Sequence, residues 1–336
     1  MAEPRVILEL DGIETLLGGV RGVLRRRRPP VRAVASVSLA VRQGEVLGIV
    51  GESGCGKSTL GRTILGIQRE ATGAIRLDDK LVSGLAPRQA RRARRDIQYL
   101  HQDAAAALDP WWSVGGSIEE ALVIDGIEPA AERRARVDRV LTAVGLDLTV
   151  KRRYPHELSG GQLRRATLAR VLVRAPRIVV LDEPTAGLDL SVQATVLKLL
   201  RDLLSGLGLT YLFISHDLSV VRQMCDRVAI MYLGRIVEMA DTARIFDAPA
   251  HPYTRLLLSA VPTLAAGQSL DAAALLGEPP SPTAVPSGCA FRTRCAHAVD
   301  RCAAAVPGLE PVPAGGTVAC QRWRELALPS PAAGRP

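Results

Sequence analysis

With 336 residues, 47% apolar and 23% charged, the chain has an ordinary globular composition; full disorder is excluded, and there is room for one large domain with or without a smaller appendage. No apolar run approaches the roughly 18 residues of a bilayer span, and the opening MAEPRVILELDGIE carries acids where a secretory signal would be basic and then apolar, so the expectation is a soluble, cytoplasmic chain unless another subunit holds it at a membrane. The net charge of +9 is almost all arginine, the lysines being only Lys57, Lys80, Lys151 and Lys198; it points to nucleic acid, phosphate ligands or an anionic membrane surface, and biased base composition would give the same excess.

Aromatic residues are only 3% of the chain, so the core must rest on Ala, Val, Leu and Ile. Val6–Leu10 and Val34–Val41 read as strands, separated by Arg25–Arg28 and Pro29-Pro30, which break regular structure. Glu45–Val50 (EVLGIV) reads as a buried strand and 57–66 as a helix. The basic run 88–95 (RQARRARR) reads as a solvated helix face. Residues 118–146 read as helical with Gly145 as the stop. Ala166–Val173 is expected to be a helix, Ile178–Leu181 a strand, Val192–Leu204 a helix and Tyr211–Ile214 a strand. This alternation predicts an α/β domain with a largely parallel core sheet. After about residue 250 the character changes: 261–288 is rich in Ala, Pro, Gly and Ser, and the last residues, PSPAAGRP, read as a tail.

Residues 51–59, GESGCGKST, fill every position of G-x-x-x-x-G-K-[ST], after an apolar strand and at the opening of a helix. Gly51, Gly54 and Gly56 allow backbone N–H groups to converge on an anion, and the helix N-terminus adds partial positive charge. Lys57 supplies a point charge to the β- and γ-phosphates, and Ser58 a hydroxyl for Mg²⁺, with Ser53 and Thr59 in the same stretch. Cys55 fills a free position in the loop and is not read as a nucleophile. Ile178–Glu183, IVVLDE, delivers Asp182 to the end of a strand, where it can hold Mg²⁺, and places Glu183 to polarise the attacking water as general base.

Leu158–Gln162, LSGGQ, narrows the class: with it the chain resembles the ATP-binding cassette (ABC) ATPases. Ser159, Gly160, Gly161 and Gln162 at a helix N-terminus make a second anion site, which in that family faces the γ-phosphate held by another subunit. The resemblance implies a P-loop cassette (an α/β RecA-like core with an antiparallel β subdomain and a helical subdomain) that binds ATP and Mg²⁺. Gln102 in HQD matches the glutamine of the Q-loop, a Mg²⁺ ligand beside the contact with the membrane partner. Ala186–Asp189, AGLD, departs from the more usual SALD of the D-loop, leaving Asp189 as its candidate residue. His216 in FISHD matches the switch histidine, a donor to the γ-phosphate. His101, His156, His251 and His297 read as structural or surface residues. The aromatic residue that commonly stacks on adenine is missing, because the first aromatic in the chain is Tyr99; Leu16, Leu17 or Val31 would have to pack against the base.

LGIVGESGCGKSTLGR, HELSGGQ, SVQATVLKLL and above all HPYTRLLLSAVP (251–262) resemble the ATP-binding subunits of oligopeptide/dipeptide importers over about residues 5–325. The implied division is an ATPase domain, 1–250, and a C-terminal extension, 251–336. The implied partners are a second, homologous cassette forming a heterodimer, two transmembrane permease subunits and, indirectly, an extracytoplasmic substrate-binding protein, at the cytoplasmic face of the membrane. Nickel and glutathione importers share the branch, so cargo stays open. Cys289, Cys295, Cys302 and Cys320 are spaced too widely for ordinary zinc knuckles; zinc, free thiols and a [4Fe–4S] cluster remain open, and the importer resemblance favours the cluster, with Arg292, Arg294 and Arg301 offsetting its charge. Trp111-Trp112 has two readings, ordinary packing or an apolar wall for the permease's coupling helix. A soluble ABC ATPase acting on nucleic acid is the alternative, but no heptad stretch of the repair type and no second cassette of the translation type is present.

Overall fold

The computed structural model describes residues 5–18, 30–101, 107–260 and 278–326. Arg25–Arg28, Gln102, part of the 261–288 stretch and the terminal PSPAAGRP lie outside the described residues. The chain divides into two compact units: residues 1–86 with 213–336, and residues 87–212. The first unit therefore joins the phosphate-loop segment to the C-terminal extension, a division different from the sequence boundary at 250.

The first unit opens with strands β1 (Val6–Leu17) and β2 (Val31–Arg42), whose alternating burial marks a sheet with one covered face. Strand β3 (Val46–Val50) and helix α1 (Lys57–Ile64) flank the phosphate loop, and β4 (Thr72–Leu77) and β5 (Lys80–Leu81) follow. β2, β1, β4 and β5 form a four-stranded sheet in that order, with antiparallel pairings.

The second unit holds α2 (Pro87–Ala93), β6 (Ile97–Leu100), α3 (Val114–Ile124), α4 (Ala130–Ala143), α5 (Gly160–Leu172), β7 (Ile178–Asp182) and α6 (Leu190–Leu207). β6 and β7 pair in parallel. No residue of α2 is buried, which fits the solvated basic face read from the sequence, although Arg94 just beyond it is buried. The single helix read over 118–146 is two helices. Gly126, at φ +71°, and Pro129 interrupt it, as a left-handed glycine and an imide without an N–H must.

Strand β8 (Thr210–Ser215) carries the chain from the second unit back into the first. There α7 (Leu218–Met224), β9 (Arg227–Tyr232), β10 (Arg235–Asp241), α8 (Thr242–Asp247), α9 (Pro252–Ser259), α10 (Arg301–Ala304), β11 (Glu310–Pro311) and β12 (Thr317–Val318) follow. β3 runs parallel to β9, β9 antiparallel to β10, and β10 antiparallel to β12. β3 and β7 are buried at every position, so their apolar runs do not alternate, as expected of strands covered on both faces. β12 adds the extension to the edge of the cassette sheet, where Ala319 N–H donates to Val237 O at 2.8 Å. Buried Glu238 secures the start of the extension, accepting from Arg244 Nη1 (2.9 Å), Ala250 N (2.7 Å) and His251 N (2.9 Å). Among the described residues no helix is long and apolar enough to cross a membrane.

Candidate nucleotide site and cysteine pocket

The phosphate loop is shaped by what its glycines must avoid. An ideal Cβ at Gly51 would lie 2.1 Å from Met231 O, and one at Gly56 would lie 2.1 Å from Ala33 O. Gly54 and Gly56 also take φ values of +77° and +110°, which L side chains reach only with strain. Cys55 is buried and its thiol is pushed up by that burial, in keeping with a packing role; its carbonyl accepts from Gly234 N at 2.8 Å. Helix α1 opens on Gly56 with no side-chain cap and no acid in its first turn, so no carboxylate there competes with an anion for the positive end of the helix. Ser53 is exposed, and Ser58 and Thr59 are half-buried. Buried Lys57 donates from Nζ to Gly51 O (2.7 Å) and Glu52 O (3.0 Å), bridging the loop's own carbonyls.

Glu52, a free position of the motif, received no role from the sequence. Its N–H donates to Tyr253 Oη at 3.1 Å, and its carboxylate accepts from Arg294 Nη1 and Nη2 at 2.9 and 3.0 Å. His216 lies in the same unit, exposed just after β8, and the next residue, Asp217, caps α7 through Ser219 N (2.9 Å) and Val220 N (3.4 Å).

In the second unit Asp182 ends β7, is buried, and accepts from the Tyr99 hydroxyl. Glu183 follows with φ +50°; a non-glycine residue in this region carries about 1–3 kcal/mol of strain, a cost that recurs at functional sites. Ser159 and Gln162 cap α5 reciprocally. Gln162 N donates to Ser159 Oγ (3.3 Å), and Ser159 N donates to Gln162 Oε1 (3.1 Å). Gly160 and Gly161 are exposed, and a Cβ on either would meet nothing within 4 Å. Ser159, Gly161 and Gln162 border an open cavity of about 470 Å³ shared with Arg153 and Arg165. Asp189 caps α6, accepting from Ser191 N and Val192 N, both at 3.0 Å; these bonds and the Ser191 hydroxyl hold its carboxyl below the usual range. Trp111 and Trp112 are 86% and 48% exposed, so the ordinary-packing reading of this pair fails.

The four late cysteines are free, half-buried thiols that line one pocket with His251, Phe291, Arg292 and His297. Burial raises the thiols of Cys289, Cys295 and Cys320, the last to about 11, and neighbouring cysteine charges add to each shift. Among the described residues no three His, Cys, Asp or Glu side chains are arranged to hold one metal ion. Arg292 eases the charge on Cys289, and Arg301, though paired with Glu325, also interacts electrostatically with Cys302 and Cys320, whereas Arg294 is taken up by Glu52. His251, fully buried, is kept neutral by burial and accepts from Tyr253 N through Nδ1 at 3.0 Å, capping α9.

Residues 34–186 match the ABC transporter family, and residues 237–302 match the oligopeptide/dipeptide transporter C-terminal region. Fold, phosphate loop and family match define the chain as an ABC ATPase. A putative peptide import ATP-binding protein of Brucella ovis is 46% identical over 312 residues, covering 92% of this chain and 98% of that protein. The oligopeptide transport ATP-binding protein AppF of Bacillus subtilis is 40% identical over 325 residues, covering 96% and 99%. Among solved structures, cbiO1 of Clostridium perfringens, part of the ABC transporter complex cbiONQ, matches with a TM-score of 0.63 and 30% identity over 72% of this chain and 90% of that one. The dimeric cassette MJ0796 bound to ADP and phosphate matches with a TM-score of 0.61 and 26% identity over 70% and 99%. The chain belongs to the family of peptide-import ATP-binding proteins within the ABC ATPases.

Proposed function

We propose that this chain energises a membrane importer of peptides by binding ATP between its own phosphate loop and the signature loop of a second, homologous cassette. One contrast carries the reading: a Cβ on Gly51 or Gly56 of the phosphate loop would strike the chain's own backbone, whereas one on Gly160 or Gly161 would meet nothing within 4 Å. Glycines kept bare at an exposed helix N-terminus leave room for a closely approaching partner group, here the γ-phosphate of a nucleotide bound elsewhere.

In this reading 1–250 is the ATPase and 251–336 its extension. The loop amides of 51–59 and Lys57 receive the β- and γ-phosphates, and Lys57 exchanges the Gly51 and Glu52 carbonyls for phosphate oxygens. The hydroxyl of Ser58, the carboxylate of Asp182 and the side-chain carbonyl of Gln102 are hard oxygen donors suited to Mg²⁺, which when bound neutralises phosphate charge. Glu183 takes a proton from the attacking water as it adds to the γ-phosphorus, His216 donates to the γ-phosphate, and ADP departs as the leaving group. Ser159, Gly160, Gly161 and Gln162 supply the partner cassette's site. Asp189 keeps the start of α6 in place beside the D-loop.

We read the pocket as the seat of a [4Fe–4S] cluster, because four thiols line it together. Cys289, Cys295, Cys302 and Cys320 would be the residues to hold it, and it would supply a covalent brace to this part of the extension. The exposed Trp111 and Trp112 offer apolar side chains to permease subunits at the cytoplasmic face of the membrane, with a substrate-binding protein beyond them. The nucleic-acid alternative is not favoured: the longest helix among the described residues has 18 residues, far short of a repair-type coiled coil.

The test is Glu183→Gln in the assembled transporter. It is expected to bind ATP, hold the closed dimer and turn over about 10²–10⁴-fold more slowly, the usual worth of a general base. Normal turnover overturns the assignment of Glu183. Failure to co-purify with two membrane subunits overturns the importer reading.

A further inference from the structure

The phosphate loop has a side-chain attachment at Glu52 that the ATP chemistry above does not use. Glu52 is held from three sides: its carbonyl by Lys57 Nζ, its N–H by the Tyr253 hydroxyl, and its carboxylate by the two terminal nitrogens of Arg294. Tyr253 and Arg294 both belong to the extension. Arg294 is 5% exposed and lies over the Tyr232 and Phe291 rings, 5.9 and 6.0 Å from their centroids. Tyr232, Tyr253 and Phe291 pack on one another with centroids 4.6, 5.3 and 5.4 Å apart. In a chain so poor in aromatics, this cluster is concentrated behind the phosphate loop.

The same arginine is joined to the cysteines through its backbone. Arg294 sits in a short turn whose ends are Cys289 and Cys295, closed by Arg292 N to Cys289 O (3.0 Å), Arg294 N to Phe291 O (3.0 Å) and Cys295 N to Arg292 O (3.4 Å). Cys289 N is tied in turn to Cys302 O at 2.8 Å. Whatever fixes the cysteines fixes the backbone that delivers the guanidinium. A two-pronged Arg–carboxylate pair demands a set orientation of both planes, so a small rotation of the turn breaks it.

We propose that Arg294 is a positioning residue of the ATP site: acting through Glu52, it holds the phosphate loop in its anion-binding shape and ties that shape to the integrity of the cysteine pocket. The proposal rests on the ATP-site reading given above and deepens it by making the extension a working part of that site. The chemistry is that of alignment. The loop amides must point at the phosphates before ATP arrives, and a loop freed at Glu52 must be ordered at the expense of binding energy.

The experiment measures equilibrium binding of ADP and the KM and kcat for ATP in the assembled transporter carrying full-length chain. Arg294→Gln is expected to weaken ADP binding and raise KM about tenfold, within the 5–150-fold range of site-to-site coupling, with kcat at saturating ATP nearly unchanged. Arg294→Lys, which keeps the charge and loses the fork, should recover only part. Because Arg294→Gln leaves the half-buried Glu52 carboxylate without its partner, and can unfold the chain, Glu52→Gln/Arg294→Gln serves as the second variant: its melting temperature recovers and its ADP affinity stays weak. Cys295→Ser should weaken ADP binding as Arg294→Gln does, with no further loss when the two are combined. Wild-type affinity in the folded double variant, or additive losses from Cys295→Ser and Arg294→Gln, overturns the proposal. Lys57→Ala is measured alongside. If it binds ADP normally the ATP-site reading itself fails, whereas loss of binding there with normal binding in the Arg294 variants defeats this inference alone.

Discussion

Replacing Gly161 with alanine separates folding from function in a way that the same change at Gly51 does not. Gly161 lies in the first turn of α5, exposed, and an added methyl meets no atom within 4 Å. Alanine is also the better helix former, by up to about 1 kcal/mol, so the melting temperature of the purified subunit should hold or rise slightly. At Gly51 the same methyl lands 2.1 Å from Met231 O. Ordinary contact begins near 3.4 Å, so loop or strand must move by more than an ångström, and overpacking of this kind costs about 1–3 kcal/mol or more. The subunit should melt several degrees lower and lose nucleotide. In the assembled transporter Gly161→Ala should bind ATP normally at its own phosphate loop yet hydrolyse it about a hundredfold more slowly, the scale of losing one preorganised donor to the transition state. Differential scanning fluorimetry with and without ADP, together with phosphate release from the complex, reads both quantities. A variant of Gly161 that unfolds contradicts the open space around α5. One that hydrolyses at the wild-type rate removes the reason for placing a second nucleotide there.

Trp111→Ala/Trp112→Ala should leave the unfolding free energy within about 0.5 kcal/mol of wild type, as changes at exposed positions do, and abolish peptide uptake while basal ATP hydrolysis persists; global unfolding would return the pair to the core. Burial holds His251 neutral down to about pH 3, whereas an ordinary histidine titrates near 6.5. A histidine pKa lowered by folding gives stability that is complete above pH 6.5 and falls as pH drops below it, by about 2 kcal/mol at pH 5. Unfolding titrations at pH 7 and pH 5 should show that loss, and His251→Asn, which can still cap α9, should flatten it. GTP should compete with ATP at similar concentration, since no aromatic residue precedes Tyr99 to stack on adenine; strong ATP selectivity in a competition assay goes against this. Anaerobically purified protein should carry iron and sulfide in equal amounts with broad visible absorption, lost in Cys289→Ser, whereas zinc or no metal ends the cluster proposal.

Local chemistry was the legible part. GESGCGKST, LSGGQ and IVVLDE announce themselves because phosphate binding needs particular residues at fixed spacing, and the buried strands read correctly because they are unbroken apolar runs. The S-x-x-Q spacing of Ser159 and Gln162 was equally readable as a capping box, a structural duty that these residues carry alongside the one drawn from the motif. The 118–146 stretch misled because its apolar spacing continues across Gly126 and Pro129, and periodicity carries no stop signal of its own. The exposure of Trp111 and Trp112 ran against the default for large apolar side chains, which is where an interaction surface parts from a core. Glu52 and Arg294 were out of reach for a different reason. They are 242 residues apart, and no local pattern marks either as half of a pair.

That separation has a consequence in time. At the usual 5–20 residues per second of synthesis, the ribosome completes Gly51–Thr59 about 10–50 s before it delivers Arg294, and β12 emerges later still to take its place beside β10. For that interval the helical unit, which lies wholly between them in the chain, can already fold, while the nucleotide loop waits without its anchor. On the proposal that Arg294 positions the loop, a nascent or prematurely ended chain displays every ATP motif and still lacks a finished ATP site.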